Sequence, residues 1–88
     1  MPSLDVANAD DAVLGAMPNG NQLFKLGIMY STGQSVPTNL VSAHKWFNIA
    51  ATRGHHEAVR LRHEVAAEMS AAEIVTAQRA ARDWLTSH

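Results

Sequence analysis

The fold is decided by two stretches of sequence, LGIMYSTG at residues 26–33 and AHKWFNIAATRG at residues 43–54. Both place small and aromatic side chains three and four residues apart, the spacing at which side chains share one face of a helix. Both also end on a glycine, Gly33 and Gly54, and glycine is the usual residue at the left-handed position that stops a helix. The two stretches therefore predict two short helices that pack against each other.

These two predicted helices extend to recognisable caps. The first begins at the cap Asn19, where Gln22 completes a capping box, and runs to about Thr32. The second begins at the cap Asn39 and runs to about Arg53. Each helix has one apolar stripe that is predicted to be buried: Leu23, Leu26, Gly27 and Tyr30 on the first, and Ala43, Trp46, Phe47 and Ala50 on the second.

Two further helices are predicted in the rest of the chain. The third begins near His55 and runs to about Met69, and the fourth follows a second capping box formed by Ser70 and Glu73. Their apolar faces are Ala58, Leu61, Val65 and Met69 on the third, and Ile74, Ala77, Ala81, Trp84 and Leu85 on the fourth. No alternating strand pattern occurs, so the predicted class is all-α, with about four helices and antiparallel neighbours joined by short connections.

Composition divides the chain at about residue 18. Residues 1–18 contain Asp5, Asp10 and Asp11 but no basic residue, whereas residues 19–88 contain all seven Lys and Arg. Residues 1–18 are predicted to be an acidic, weakly structured segment, since large apolar side chains are scarce there. A helix with one apolar side is the alternative for this segment. Residues 19–88 are predicted to form the folded domain.

Several classes of protein are disfavoured by composition. The chain has 88 residues, enough for one small domain, and no cysteine, so neither disulfides nor thiolate metal ligands are expected. Its formal net charge of −1 gives no electrostatic reason to expect nucleic acid or an anionic membrane as partner. No apolar run approaches the ~20 residues of a membrane-spanning helix. Since the N-terminus does not look like a signal peptide, the expected location is the cytoplasm, or the periplasm if a signal had been removed.

The spacing of the glycine, alanine and aromatic residues in these stretches resembles the Sel-one-like repeat, a relative of the tetratricopeptide repeat. The resemblance spans about residues 22–58, and residues 59–85 resemble the closing helix pair often found after the last such repeat in bacterial proteins. The matching positions are Leu26, Gly27, Tyr30, Gly33, Val36, Ala43, Trp46, Phe47, Ala50, Ala51, Gly54 and Ala58. The resemblance implies an antiparallel helix-turn-helix scaffold that binds other proteins and has neither a cofactor nor catalytic chemistry.

Three residues depart from the repeat pattern. Ser35 replaces the second glycine of the loop, so the left-handed turn there is expected to be reshaped. Asn39 replaces the usual Asp and keeps the cap without the charge. Gln22 replaces an alanine, which suggests that no ordinary preceding repeat packs on the first helix.

Gly27 lies in the middle of a helix, where glycine costs roughly 1 kcal/mol relative to alanine. This cost is tolerated where another helix must approach closely, so the small residues Ala43 and Ala50 are expected to face Gly27. Tyr30 and Trp46 are expected to fill the surrounding space and to keep their polar atoms near the rim.

The predicted binding residues lie beside the buried stripe of the first helix. Phe24 and Ile28 are four residues apart on one side of that stripe, where a preceding helix would cover them in an array of repeats. In this chain the cover would be residues 1–18, a second copy, or a partner. The predicted protein-binding residues are Phe24, Lys25, Ile28 and Met29. A homodimer through the same face is the next candidate, and completion of the core by Phe24 and Met29 is the structural alternative.

Metal binding and catalysis have little support in the sequence. His56 and His63 share a helix face but are seven residues apart, roughly 10 Å along the axis, which is too far for one metal ion. His44 and His55 are expected to be solvated. No spacing suggests a catalytic triad, so no metal site, cofactor or enzymatic activity is predicted.

The predicted function is a protein–protein interaction module, used as an adaptor or as a small subunit of a larger assembly. The alternative is a small helix-turn-helix regulator that binds nucleic acid through a basic patch. The candidate residues for this patch are Lys25, Lys45, Arg53, Arg60 and Arg62. The starts of the second and fourth helices lack the basic and amide residues of a recognition helix, and Glu73 would repel phosphate.

Overall fold

Four α-helices make up residues 18–88, the part of the chain that the computed structural model describes. They are α1 (Gly20–Thr32), α2 (Leu40–Thr52), α3 (His56–Ala66) and α4 (Ala71–Ser87), and no strand occurs within residues 18–88. Helix α2 is central and packs against each of the other three. The predicted all-α class is confirmed. The prediction for residues 1–18 lies, apart from Pro18, outside the described residues.

The predicted helix starts are confirmed by their caps. The Asn19 side chain accepts a hydrogen bond from the Gln22 backbone N–H at 2.9 Å, and the Asn19 backbone N–H donates to the Gln22 side chain at 2.9 Å. Ser70 and Glu73 form the same pair of bonds at 3.1 and 2.8 Å. Asn39 accepts from the backbone N–H of Ser42 at 3.1 Å. These side chains satisfy backbone donors that would otherwise lack partners in the first helical turn.

Helix α3 ends at Ala66, about three residues before the predicted end at Met69. Beyond Ala66 the backbone makes tighter bonds between residues three apart, from Glu68 to Val65 at 3.0 Å and from Met69 to Ala66 at 3.1 Å. Such bonds tighten the final turn of a helix. The apolar side chain of Met69 still packs against the core, which explains why periodicity alone extended the predicted helix.

The two glycines predicted to end helices adopt left-handed backbone conformations. Gly33 has φ +76° and Gly54 has φ +92°. Ser35, at the position where the repeat pattern has a second glycine, also has a positive φ of +69°. The serine therefore retains the left-handed backbone, and the expected reshaping of this turn is not seen.

The core follows the predicted stripes and extends beyond them on α2. All four residues of the α1 stripe and all four of the α2 stripe are buried. Helix α2 also buries His44 and Ile49, which lie outside its predicted stripe. Since α2 has neighbours on several sides, a single stripe is too narrow to describe its buried surface. Within residues 18–88, none of the helices combines the length and apolar character needed to cross a membrane.

Two details of the predicted helix contact are wrong. A Cβ atom added to Gly27 would lie 2.4 Å from Cδ1 and Cε1 of Phe47, so the Phe47 ring, and not Ala43 or Ala50, supplies the closest atoms. Trp46 is 1% exposed, and its indole N–H is buried without a hydrogen-bond partner among the described residues. It does not reach the rim because Trp84 of α4 packs against it, with ring centroids 5.5 Å apart and planes at 78°.

Candidate functional site

A groove of about 560 Å³ lies along the outer face of α1. We call it the α1 groove. The four residues predicted to bind a partner, Phe24, Lys25, Ile28 and Met29, all line it. Asn21, Gln34 and His55 complete the lining. The structure therefore brings together the four predicted residues on one concave surface.

Phe24 joins the α1 groove to the core. Its ring is tilted against Phe47 with centroids 5.6 Å apart, and it stacks on the His55 imidazole at 4.0 Å. Phe24, Ile28 and Met29 are partly buried and pack against the core cluster while also lining the groove. These three side chains therefore both pack against the core and line the groove. This arrangement holds the apolar floor of the groove in place.

His55 is a groove residue that the sequence did not suggest. It was expected to be solvated, but it is half-buried and its Nδ1 accepts a hydrogen bond from the backbone N–H of Ala58 at 3.3 Å. This bond caps α3 and assigns the acceptor role to Nδ1, so a neutral ring carries its proton on Nε2. The cap fixes the imidazole flat against Phe24. A histidine directly after the helix-ending Gly54 was the available clue to a capping role.

The charge that residues 18–88 bring to the α1 groove is positive. Lys25 is exposed and brings a positive charge to the lining, to which residues 18–88 contribute no acidic residue. Asn21 and Gln34 add side-chain amides that can donate or accept hydrogen bonds. The groove therefore combines an apolar floor with a basic and amide edge.

Family models, curated proteins and solved structures were compared with the chain, and none matches. The α1 groove is therefore interpreted from its own residues.

A second cavity, of about 340 Å³, lies among α2, α3 and α4, and we call it the three-helix cleft. Helix α2 contributes His44 and Asn48, and α3 contributes Arg62 and His63. His44 is 3% exposed, and its Nδ1 is buried without a hydrogen-bond partner among the described residues. The expectation that His44 is solvated is therefore wrong, because α3 and α4 pack beside it.

Burial lowers the pKa of His44 from its ordinary value of 6.5, and the nearby charges of Arg62 and His63 lower it further. The unfolded chain therefore binds a proton on His44 at a higher pH than the folded chain does. This difference makes the folded state most stable above pH 6.5 and reduces its stability as the pH falls below that value.

We expect wild type to lose more unfolding free energy between about pH 7.5 and pH 5.5 than the variant His44→Gln, because glutamine cannot take up the proton. Each pH lies about one unit from the ordinary histidine pKa. Urea denaturation followed by circular dichroism at each pH measures the loss. Equal losses in the two proteins would show that His44 does not contribute to the pH dependence.

The other polar residues singled out from the sequence are dispersed. His56 and His63 are exposed, and within residues 18–88 no three His, Asp or Glu side chains come together in a way that could hold a metal ion. Arg60 forms ion pairs with Glu64 at 3.0 Å and with Glu57 at 2.9 Å.

The five candidates for a basic patch have different surroundings. Lys25 lines the α1 groove and Arg62 the three-helix cleft. The Lys45 ammonium lies 4.1 Å from the centre of the Trp46 ring, and the Arg53 guanidinium 5.7 Å from that of Trp84. Arg60 is paired with acids.

Proposed function

We propose that this chain is a protein–protein interaction module, an adaptor or a small subunit of a larger assembly, without catalytic activity of its own. The observation that carries the proposal is the α1 groove, in which Phe24, Ile28 and Met29 present apolar surface beside the charge of Lys25. Concave apolar surfaces with a few polar groups at their edge are typical of binding sites.

The proposed occupant is a short segment of another protein that carries apolar side chains at helical spacing and an acidic residue. The spacing is inferred from the floor, since Phe24 and Ile28 lie one helical turn apart and match side chains on one face of a docked helix. The acidic residue is inferred from Lys25, because no acid among residues 18–88 lines the groove beside this ammonium. A volume of about 560 Å³ has room for a few side chains rather than a whole helix.

The Sel-one-like repeat type is part of this proposal. In that interpretation the motif positions build the scaffold and the residues between them bind the partner. Support comes from the left-handed Gly33 and Gly54 and from the buried motif residues Tyr30 and Trp46. The groove residues Phe24 and Ile28 lie outside the motif, as expected of positions that vary with the partner.

A peptide library displayed on phage and selected against the full chain tests the groove. We expect selected peptides to be enriched in apolar residues three or four apart with an adjacent Asp or Glu. Ile28→Glu should weaken their binding by at least about tenfold, since it places a carboxylate on the apolar floor. The matched control is Val75→Glu, because Val75 is 50% exposed on α4 and does not line the groove.

Two outcomes would overturn the proposal. Peptides that bind Ile28→Glu and wild type equally well would show that the α1 groove is not the docking site. Sedimentation provides the second comparison: a wild-type dimer that becomes monomeric in Ile28→Glu but persists in Val75→Glu would assign the groove to a second copy of the chain instead of a foreign segment.

A further inference from the structure

The three-helix cleft lies among α2, α3 and α4, and its lining is basic and amide-rich. Arg62 and His63 come from α3, His44 and Asn48 from α2, and Gln78 from α4. Within the described part of the chain, no acidic residue lines it. Three helices thus converge on a cleft to which residues 18–88 bring hydrogen-bond donors and positive charge but no carboxylate.

Arg62 differs sharply from Arg60, two residues earlier on the same helix. Arg60 is paired with two carboxylates, those of Glu57 and Glu64. Arg62 makes no ion pair within residues 18–88, and its Nη1 donates to the side-chain oxygen of Asn48 at 3.0 Å. This bond orients the guanidinium on the cleft wall and leaves its remaining N–H donors for another acceptor.

His44 forms part of the cleft wall and is 3% exposed. Its Nδ1 has no hydrogen-bond partner among residues 18–88. Buried polar side chains normally have hydrogen-bond partners, so each exception calls for an explanation. Because Nδ1 of His44 is itself buried, an anion in the cleft cannot supply its partner; what a bound anion would explain is the Arg62 guanidinium, which makes no ion pair within residues 18–88.

The ligand is further defined by the apolar part of the lining. Ala66 and Ile74 face the same cleft. They offer an apolar wall to a short alkyl group beside the donors of Arg62. A planar carboxylate matches the fork of a single guanidinium, through two parallel hydrogen bonds.

We propose that the three-helix cleft binds a small carboxylate with a short aliphatic body, and that Arg62 is its principal hydrogen-bond donor. The carboxylate accepts from Arg62, and the donors of His63 and Gln78 lie in the same lining. The aliphatic body lies against Ala66 and Ile74. This site is separate from the α1 groove and does not depend on what docks there.

Titration of the full chain with propionate tests the cleft. The probes are sodium propionate, inorganic phosphate and sodium chloride at constant ionic strength. The readout is the imidazole C–H resonances of His44 and His63 in two-dimensional NMR, assigned from the variants His44→Gln and His63→Gln. We expect propionate to shift both resonances saturably and chloride to leave them unchanged.

Variants of the two neighbouring arginines provide the control. Arg62→Gln should weaken propionate binding by at least about tenfold, since a charge-assisted bidentate contact is lost. Arg60→Gln should bind like wild type, because Arg60 does not line the cleft. Arg62→Lys keeps the charge and should give an intermediate affinity, which also tests the site if Arg62→Gln does not fold.

Three results would overturn the proposal. Shifts that rise linearly without saturation would show that the cleft has no site for the anion. Equal effects of Arg60→Gln and Arg62→Gln would show a general charge effect. Phosphate saturating at lower concentration than propionate would assign the cleft to a phosphate group and not to a carboxylate.

Discussion

Gly27→Leu is expected to abolish native packing of the domain. The first atom of any side chain at this position would lie 2.4 Å from two carbons of the Phe47 ring, a separation that real side chains do not adopt. The ring has little freedom to move, since Phe47 is 1% exposed and contacts Phe24 on the groove side. Overpacking costs about 1–3 kcal/mol when a few methylenes are inserted, and this substitution adds a whole branched side chain. A loss of at least about 3 kcal/mol is therefore expected in a small domain of marginal stability.

The same contact is tested more finely by Gly27→Ala in two backgrounds. Alanine is favoured over glycine inside a helix by about 1 kcal/mol, so steric conflict with Phe47 must reverse that gain in wild type. In the Phe47→Leu background the ring is absent, and Gly27→Ala should cost less or become stabilising. Urea denaturation of the four proteins gives the coupling free energy. Equal effects of Gly27→Ala in both backgrounds would rule out the Phe47 ring as the reason for glycine.

Local features of the fold could be predicted because they depend on neighbours in sequence. The capping box of Asn19 and Gln22 and the stop at Gly33 involve residues within one helical turn, so their geometry follows from residue type. The α1 stripe was predicted in full for a related reason: α1 packs mainly on one helix, α2. One neighbour buries one stripe, and helical periodicity defines that stripe.

Features that depend on three helices meeting could not be predicted in this way. Helix α2 contacts α1, α3 and α4, so it buries His44 and Ile49 as well as its apolar stripe. Periodicity assigns His44 to a solvated face because a single apolar stripe accounts for one neighbouring helix and not for the second and third. The same limit applies to Gly27, whose small size was correctly interpreted as a close contact, but with the wrong partner.

The α1 groove could be predicted only in part from the sequence. Phe24, Lys25, Ile28 and Met29 follow one another on α1, so their common face could be read from the sequence. His55 joins them from beyond α2, through a cap that orients its ring against Phe24. That contribution depends on how the chain returns past α1 after Gly54, which no local pattern specifies.

Trp46→Ala is expected to destabilise the domain by about 3–5 kcal/mol, the range for removal of a large aromatic side chain from a core. Trp46 is 1% exposed and links two helices, since its ring on α2 meets the edge or face of Trp84 on α4. The truncation therefore removes core volume and also an aromatic contact between α2 and α4. Unfolding by urea, followed by circular dichroism, measures the loss.

Trp46→Phe separates ring packing from the indole N–H. The phenyl ring retains much of the apolar contact and removes a buried donor that has no partner among residues 18–88, a defect worth about 1–3 kcal/mol. Trp46→Phe should therefore cost well under half as much as Trp46→Ala.

Because the chain has two tryptophans, the Trp46→Phe variant leaves Trp84 as its sole indole fluorophore and reports the docking of α4. Fluorescence and circular dichroism transitions that coincide would show that α4 unfolds together with the core, as a shared Trp46–Trp84 contact requires. A fluorescence transition at lower urea would show that α4 separates first, and equal costs for the two substitutions would mean that the indole N–H is satisfied in solution.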